Sequence, residues 1–255
     1  DGIVTAPATE PAENWLTRAT SSENLLAAMH HIEANQAATR RAKKRLENDS
    51  DPADRLWLSD DFDDDQLNRL DEEKADYLKR MAKKLKSGRF EVLPLKGVIH
   101  QDPDGEARPL AIPSFANRVA QRALVAVLQP GLEQMMFSGS HGYRPGHSRL
   151  HARYDIQRAW REGYRWVYES DIEDFFDSVN WPSLQVRLQA LLGDDPIIEL
   201  IMQWMQAPVQ FEEQIIQRHT GLPQGSPLSP LLANLMLDDF DNDLAMAGFK
   251  LIRFA

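Results

Sequence analysis

The segment Gly221-Leu-Pro-Gln-Gly-Ser-Pro-Leu-Ser-Pro230 constrains the fold of this chain more than any other. Two glycines and three prolines in ten residues deny it a regular helix or ladder. Proline fixes φ and lacks an N–H donor, and glycine supplies conformations that other residues avoid. One amide side chain, Gln224, stands in its middle. The segment lies between a hairpin-like stretch, 209–220, and an apolar helix that Ser229-Pro230 opens over 231–237. A loop so stiff in that position implies a surface built to hold something.

The rest of the chain alternates helical and strand-like patterns. Residues 1–20 read as a linker or tail, with Pro7 and Pro11 among small polar residues. Leu25, Met29 and Ile32 recur at helical spacing behind Ser21, a good first-turn cap. The stretch 48–65 is acidic and broken by Pro52, hence a loop. A helix is expected over 66–86, with Tyr77, Leu78, Met81 and Leu85 on its buried stripe and Gly88 ending it. Strands are expected at 92–99 and 108–112 around the turn residues Asp102-Pro103-Asp104-Gly105. Further helices are expected over 117–128, stopped by Pro130-Gly131, then to about 162, over 180–192 and over 197–205. Tyr164–Asp171 reads as a buried strand carrying Trp166, Val167 and Tyr168, and 249–254 as a last strand. The Met135-Met136-Phe137 and Met202, Trp204, Met205 groups read as core. The pattern is that of an α+β fold.

Composition excludes several classes. The absence of cysteine removes disulfides, thiolate nucleophiles and Cys-ligated metals, and it fits a cytoplasmic location. No apolar run approaches the ~20 residues that span a bilayer, so no membrane partner is expected. A net charge of −10 argues against a simple nucleic-acid coat. Base is nevertheless concentrated at 40–45 and 79–89, and acid at 60–65 and in the group Asp171, Glu173, Asp174, Asp177. Each basic run reads equally as a solvated helix face.

Asp171 ends the expected buried strand, where a carboxylate needs a partner. Mg²⁺, which prefers carboxylate oxygens, is one such partner; a capping or surface acidic cluster is the other reading. His147 and His151, four residues apart, invite a metal reading as well. With no third ligand evident, solvated or phosphate-contacting histidines are preferred.

Taken together, these segments resemble a known family. Asp171-Ile-x-x-Phe-Phe176 is similar to motif A of reverse transcriptases, and Leu222-Pro-Gln-Gly225 with Ser229-Pro230 to their motif B. Arg108-Pro-Leu-x-Ile-Pro113 resembles the fingers motif. Gly142-Tyr-Arg-Pro-Gly146 resembles the loop that group II intron-like members carry between fingers and palm, and Leu25-Leu-Ala-Ala their N-terminal helix. The resemblance implies a right-hand polymerase with a helical region over 21–90, fingers over 91–163 and an incomplete palm over 164–255. It implies that Asp171 ligates two Mg²⁺ ions, with Mn²⁺ as an alternative, and that the Ile172 carbonyl assists. Asp174, Phe175, Phe176, Arg108 and Gln224 would form the nucleotide site, with Phe176 the steric gate against a 2′-hydroxyl. The Gln224 loop would brace the base pair and sugar, and the always-charged Arg108 fork would meet the triphosphate. Arg144, Arg149, Gly225 and Ser226 would contact template or primer, with Arg153 beside them.

The chain also departs from the pattern. The family completes its metal site with an aromatic-Ala-Asp-Asp hairpin, and Leu251-Ile-Arg-Phe-Ala255 ends where those aspartates are expected, so this stretch alone is expected to be inactive. The fingers turn holds Asp102, Pro103, Glu106 and Ala107 in place of lysines. The glycine-rich loop after the first helix is replaced by the basic-then-acidic stretch 40–65.

The wording of motif B, with Asp238-Asp-Phe-Asp241 beyond it and Trp166-Val-Tyr-Glu-Ser-Asp171 before it, most resembles the CRISPR-associated reverse transcriptases. The implied function is copying RNA into DNA for spacer acquisition. The implied partners are an RNA template, a DNA or RNA primer, deoxynucleotides, the spacer integrase with its partner subunit, and an upstream RNA-processing domain. Two alternatives stand beside it: a group II intron-type maturase, and a scaffold that binds RNA and partners without catalysis.

Overall fold

The computed structural model describes residues 14–49, 64–101 and 107–254, with side chains left undescribed at 39–49 and 64–73. The basic run 40–45, most of the acidic loop and the turn 102–106 therefore lie outside the described side chains. The chain begins with α1 (Trp15–Ala19) and α2 (Ser22–Asp49), followed by α3 (Asp64–Lys86). The expected tail thus differs over its last residues. Asn14 caps α1, the Trp15 N–H donates to the Asp195 carboxylate at 2.8 Å, and Leu16 and Ala19 are buried. Apolar side chains in a five-residue helix suffice to dock what composition alone marks as linker.

In α2, Leu25, Met29 and Ile32 are buried as their spacing requires, and so are Leu78, Met81 and Leu85 of α3. Gly88 closes α3 at φ +68° while the Arg89 N–H donates back to Lys84 at 2.9 Å. α3 packs against α1 and α2, which in turn pack on α4 (Phe115–Glu133). That helix runs through Pro130 rather than stopping there. Proline costs a helix its N–H and a clash with the turn before it, but here the apolar face of α4 continues. Leu128 and Leu132 on either side of the proline are 2–3% exposed, and their burial carries the last turn.

The remaining elements are α5 (Arg149–Arg161), the single turn α6 (Phe175–Ser178), α7 (Trp181–Leu192), α8 (Ile197–Gln206) and α9 (Ser229–Met246). Asn180 caps α7 through the Ser183 N–H at 3.0 Å, with Pro182 in its first turn. The four strands are β1 (Leu95–Gln101), β2 (Ala107–Ile112), β3 (Val209–Phe211) and β4 (Gln214–Ile216), in the sheet order β2-β1-β3-β4. Both hairpins are antiparallel, and β1 joins β3 in parallel at Leu95↔Val209. The architecture is α+β.

One core runs through α1–α4 and α7–α9. At its centre the indole of Trp204, 1% exposed, donates to Asn117 Oδ1 at 2.6 Å, and Phe90 meets it edge-on at 6.4 Å. Asn117 is itself held by Ser114 Oγ at 2.8 Å. Replacing Asn117 with leucine leaves the indole N–H buried and unpaired, which should cost about 1–3 kcal/mol. The check is a lower urea midpoint at unchanged slope. Met136, Met202 and Met205 join the core, whereas Met135 is 40% exposed.

Two expected strands are not formed among the described residues. Tyr164–Asp171 is extended but unpaired, and Trp166, Val167 and Tyr168 are 95%, 81% and 93% exposed. Residues 249–254 contribute only a single parallel bridge, Arg253 to Ser140. Apolar, β-prone composition marks an extended segment, but a strand also needs a neighbour, and none of β1–β4 reaches these residues.

Candidate functional site

The stiff loop 221–230 is where the parts of the molecule meet. Its first residue, Gly221, adopts φ +86° and lies so close to α6 that a Cβ would stand 2.8 Å from the Asp177 Cα and from the carbonyl oxygens of Phe176 and Asp177. The Gly221 N–H donates to Val179 at 2.8 Å and the Leu222 N–H to Phe176 at 2.6 Å. The Trp181 indole donates to the Gly221 carbonyl at 2.8 Å, and Thr220 Oγ1 to the Asp177 carbonyl at 3.0 Å. The loop start is thus bolted to the helix that carries Phe175, Phe176 and Asp177.

Its middle reaches the sheet. The Ala111 N–H of β2 donates to the Gln224 carbonyl at 2.7 Å, and Gly225, at φ +121°, passes 3.1 Å from the Ala111 carbonyl at its Cβ position. The Gln224 side chain donates to the Asp177 carboxylate at 3.1 Å. Gln224 therefore joins β2 through its backbone and α6 through its amide. Arg108 lies three residues before Ala111 on the same strand, roughly 10 Å along it, and is exposed.

Phe176 is half-buried, with Phe175 edge-on at 6.2 Å and Tyr143 edge-on at 6.1 Å. Asp174, the residue before α6, sits at φ +47°, a left-handed conformation that aspartate enters more readily than most residues. Asp171 and Ile172 precede this turn on the exposed extended segment. Arg218 supports the loop from behind by donating to the Met205 carbonyl at 2.8 Å. Burial lowers its guanidinium from the ordinary value, and Asp177 opposes that shift.

The structure places three expected contact residues differently. Ser226 is buried, with its hydroxyl given to Gln121 at 3.0 Å, so it braces the loop rather than facing template or primer. Arg144 has its guanidinium 6% exposed and spent on Glu133 at 2.9 Å and on the Phe137 and Ser140 carbonyls at 2.8 and 2.7 Å. A planar fork with several fixed donors is well suited to closing a loop, and no sequence signal separates that use from phosphate binding. His147 meets the buried His141 at 2.9 Å through their Nδ1 atoms, while His141 Nε2 meets Asp155 at 2.9 Å. Burial, then Arg144 and His141, lower His147 from its ordinary value. Its Nδ1 is thus engaged within the protein, while the residue as a whole is half-buried. Arg149 and Arg153 are exposed on α5, outside the loop's contacts.

Asp177, Trp181 and Tyr143 were not singled out for this site by the sequence. Asp177 lies within the acidic group and Tyr143 within Gly142–Gly146, so both stood in recognised motifs without an assigned contact. Asp171 and the Ile172 carbonyl supply hard oxygen donors of the kind Mg²⁺ takes. Among the described residues, however, no three His, Cys, Asp or Glu side chains converge to hold a metal ion. The donor type fits a divalent ion, but the donor number does not. Nor is any described helix long and apolar enough to cross a membrane.

Comparison with known proteins agrees with this layout. The profile of the family described as reverse transcriptase (RNA-dependent DNA polymerase) matches residues 99–255. Protein YkfC of Escherichia coli is 31% identical over 63% of this chain and 43% of its own length. The group II intron-encoded protein LtrA of Lactococcus lactis is 31% identical over 74% of this chain and 31% of its own. The solved Cas6-RT-Cas1--Cas2 complex contains a chain that is 37% identical, with a TM-score of 0.56, over 96% of this chain and 23% of that one. The chain thus spans less than half the length of these relatives. With the matched profile covering every element from β2 to α9 and the loop that joins them, the chain belongs to the reverse transcriptase family and carries its fingers and part of its palm.

Proposed function

We propose that this chain is the fingers and part of the palm of an RNA-directed DNA polymerase that copies RNA into DNA during CRISPR spacer acquisition. The observation that carries the reading is the double attachment of Gln224, to β2 through its carbonyl and to Asp177 through its amide. That attachment holds a nucleotide-facing loop at a fixed distance from both the triphosphate side, at Arg108, and the sugar side, at Phe176. In such geometry Arg108 neutralises the triphosphate, Gln224 lines the nucleotide pocket, and Phe176 excludes a 2′-hydroxyl. Asp171 and the Ile172 carbonyl would supply part of the oxygen ligand set of a divalent ion, which would contribute Lewis-acid stabilisation to the displacement.

Residues 21–90 are assigned to the helical region, 91–163 to the fingers and 164–255 to the palm. The acquisition role is favoured over a mobile-intron role by identity of 37% over 96% of the chain with the Cas6-RT-Cas1--Cas2 protein, against 31% over 74% with LtrA. A spacer integrase of the Cas1 kind and its Cas2 partner are the proteins proposed to work beside it, in the cytoplasm.

The test is primer extension on an RNA template with the full-length protein and Mg²⁺. Asp171→Asn is expected to reduce extension by about 10²–10³-fold, since a charged group at the reaction centre is lost. Equal extension by the variant would remove Asp171 from the chemistry. No extension by the native protein over several primers would favour the scaffold reading.

A further inference from the structure

Tyr143 holds an unusual backbone conformation for an aromatic residue. It is one of three non-glycine residues at positive φ among those described, at +56°. Left-handed backbone at a bulky side chain persists only where its surroundings impose it, and here they do so from both sides. The preceding carbonyl, Gly142, accepts from the buried Asn234 Nδ2 at 2.9 Å, and the His141 N–H donates to the Arg253 carbonyl at 2.7 Å. The following residue, Arg144, is locked to Glu133 and to two carbonyls of the same loop. The ring is not held this way in order to bury it, because Tyr143 is 52% exposed. The aromatic contact it makes is with Phe176, edge to face at 80° between ring planes.

We propose that Tyr143 is a positioning residue for sugar selection, the wall that fixes the Phe176 ring against the incoming nucleotide. This rests on the reading of Phe176 as the steric gate. Phe175 braces Phe176 at 87°, but it belongs to the same helical turn and moves with it. Tyr143 belongs to the loop anchored on α9, and so ties the gate to an independent part of the fold. Discrimination against a 2′-hydroxyl requires a ring that does not swing aside, and two edge-on neighbours from separate elements confine it.

Tyr143→Gly separates ring loss from misfolding, because glycine tolerates φ +56° and the substitution relieves strain as it removes the ring. Tyr143→Phe keeps the ring. The measurement is the ratio of kcat/KM for a deoxynucleotide to that for the matching ribonucleotide, with the full-length protein in primer extension. Tyr143→Gly is expected to lower that ratio by about tenfold, in line with loss of an edge-to-face pair, chiefly by raising ribonucleotide use. Tyr143→Phe should stay within about twofold, and Tyr143→Gly should add nothing in a Phe176→Ala background. An unchanged ratio in Tyr143→Gly, while Phe176→Ala relaxes selection, overturns the role of Tyr143 and leaves the gate standing. An unchanged ratio in both overturns the gate itself.

Discussion

Gly221→Ala should destabilise the protein by about 2–5 kcal/mol, the sum of about 1–2 for a side chain in left-handed backbone and about 1–3 for forced overpacking. The added methyl would stand 2.8 Å from backbone atoms of Phe176 and Asp177, which cannot rotate away as a side-chain tip can. Relief requires α6 and the loop to separate. The Leu222 to Phe176 and Gly221 to Val179 hydrogen bonds go with that movement, and so does the register of Gln224 with Asp177. Primer extension by the full-length variant should fall further than its loss of stability explains at a temperature where it remains folded. The control is Gly163→Ala, at φ +105° with nothing within 4 Å, which carries the conformational cost alone. Equal urea midpoints for the two variants would show that the close approach at Gly221 contributes nothing.

The second large effect is expected at the Arg253–Asp241 pair. Asp241 is fully buried and receives the Arg253 guanidinium at 2.9, 3.0 and 2.8 Å, while the remaining nitrogen donates to Asn234 at 3.0 Å. Asp241→Ala leaves a cation almost out of reach of water and should cost about 3–5 kcal/mol. Replacing both partners with apolar residues of similar volume should cost far less, because no orphaned charge remains. A double-mutant cycle by thermal or urea unfolding measures the difference; additive losses would deny the coupling. The pair also holds the Tyr143 loop, since the Arg253 backbone exchanges hydrogen bonds with Gly139 and His141 at 2.9 and 2.7 Å. Asp241→Ala should therefore loosen sugar selection as well as stability.

The Asp238–Asp241 run shows how motif and role part company. In the sequence it supports a family assignment. In the structure its members are fasteners: Asp238 accepts from the Phe137 N–H at 3.0 Å, Asp239 pairs with Arg187 at 2.7 Å and Asp241 with Arg253. Burial raises Asp238 above the ordinary carboxylate range, partly offset by that N–H and by Arg187. None of this is visible in a string of acids, because each partner lies outside the helix that carries them, 101 residues away for Asp238 and 12 for Asp241.

By itself the sequence determined whatever depends on neighbours a few residues apart. The helical spacing of Leu25, Met29 and Ile32, the Asn180 cap, the Gly88 stop and the two hairpins all follow from local sterics and hydrogen bonding. So does the stiffness of 221–230, and with it the family. The tertiary structure alone decided which polar groups are used up inside. Arg144, Ser226 and His147 carry the chemistry of ligand contacts but spend it on Glu133, Gln121 and His141. It likewise decided that α4 outlasts its proline and that Trp166 and Tyr168 stand in solvent, because burial and strand pairing depend on what a segment meets in space. Local preference sets what a segment can become, and long-range contacts, absent from any short window of sequence, select among those outcomes.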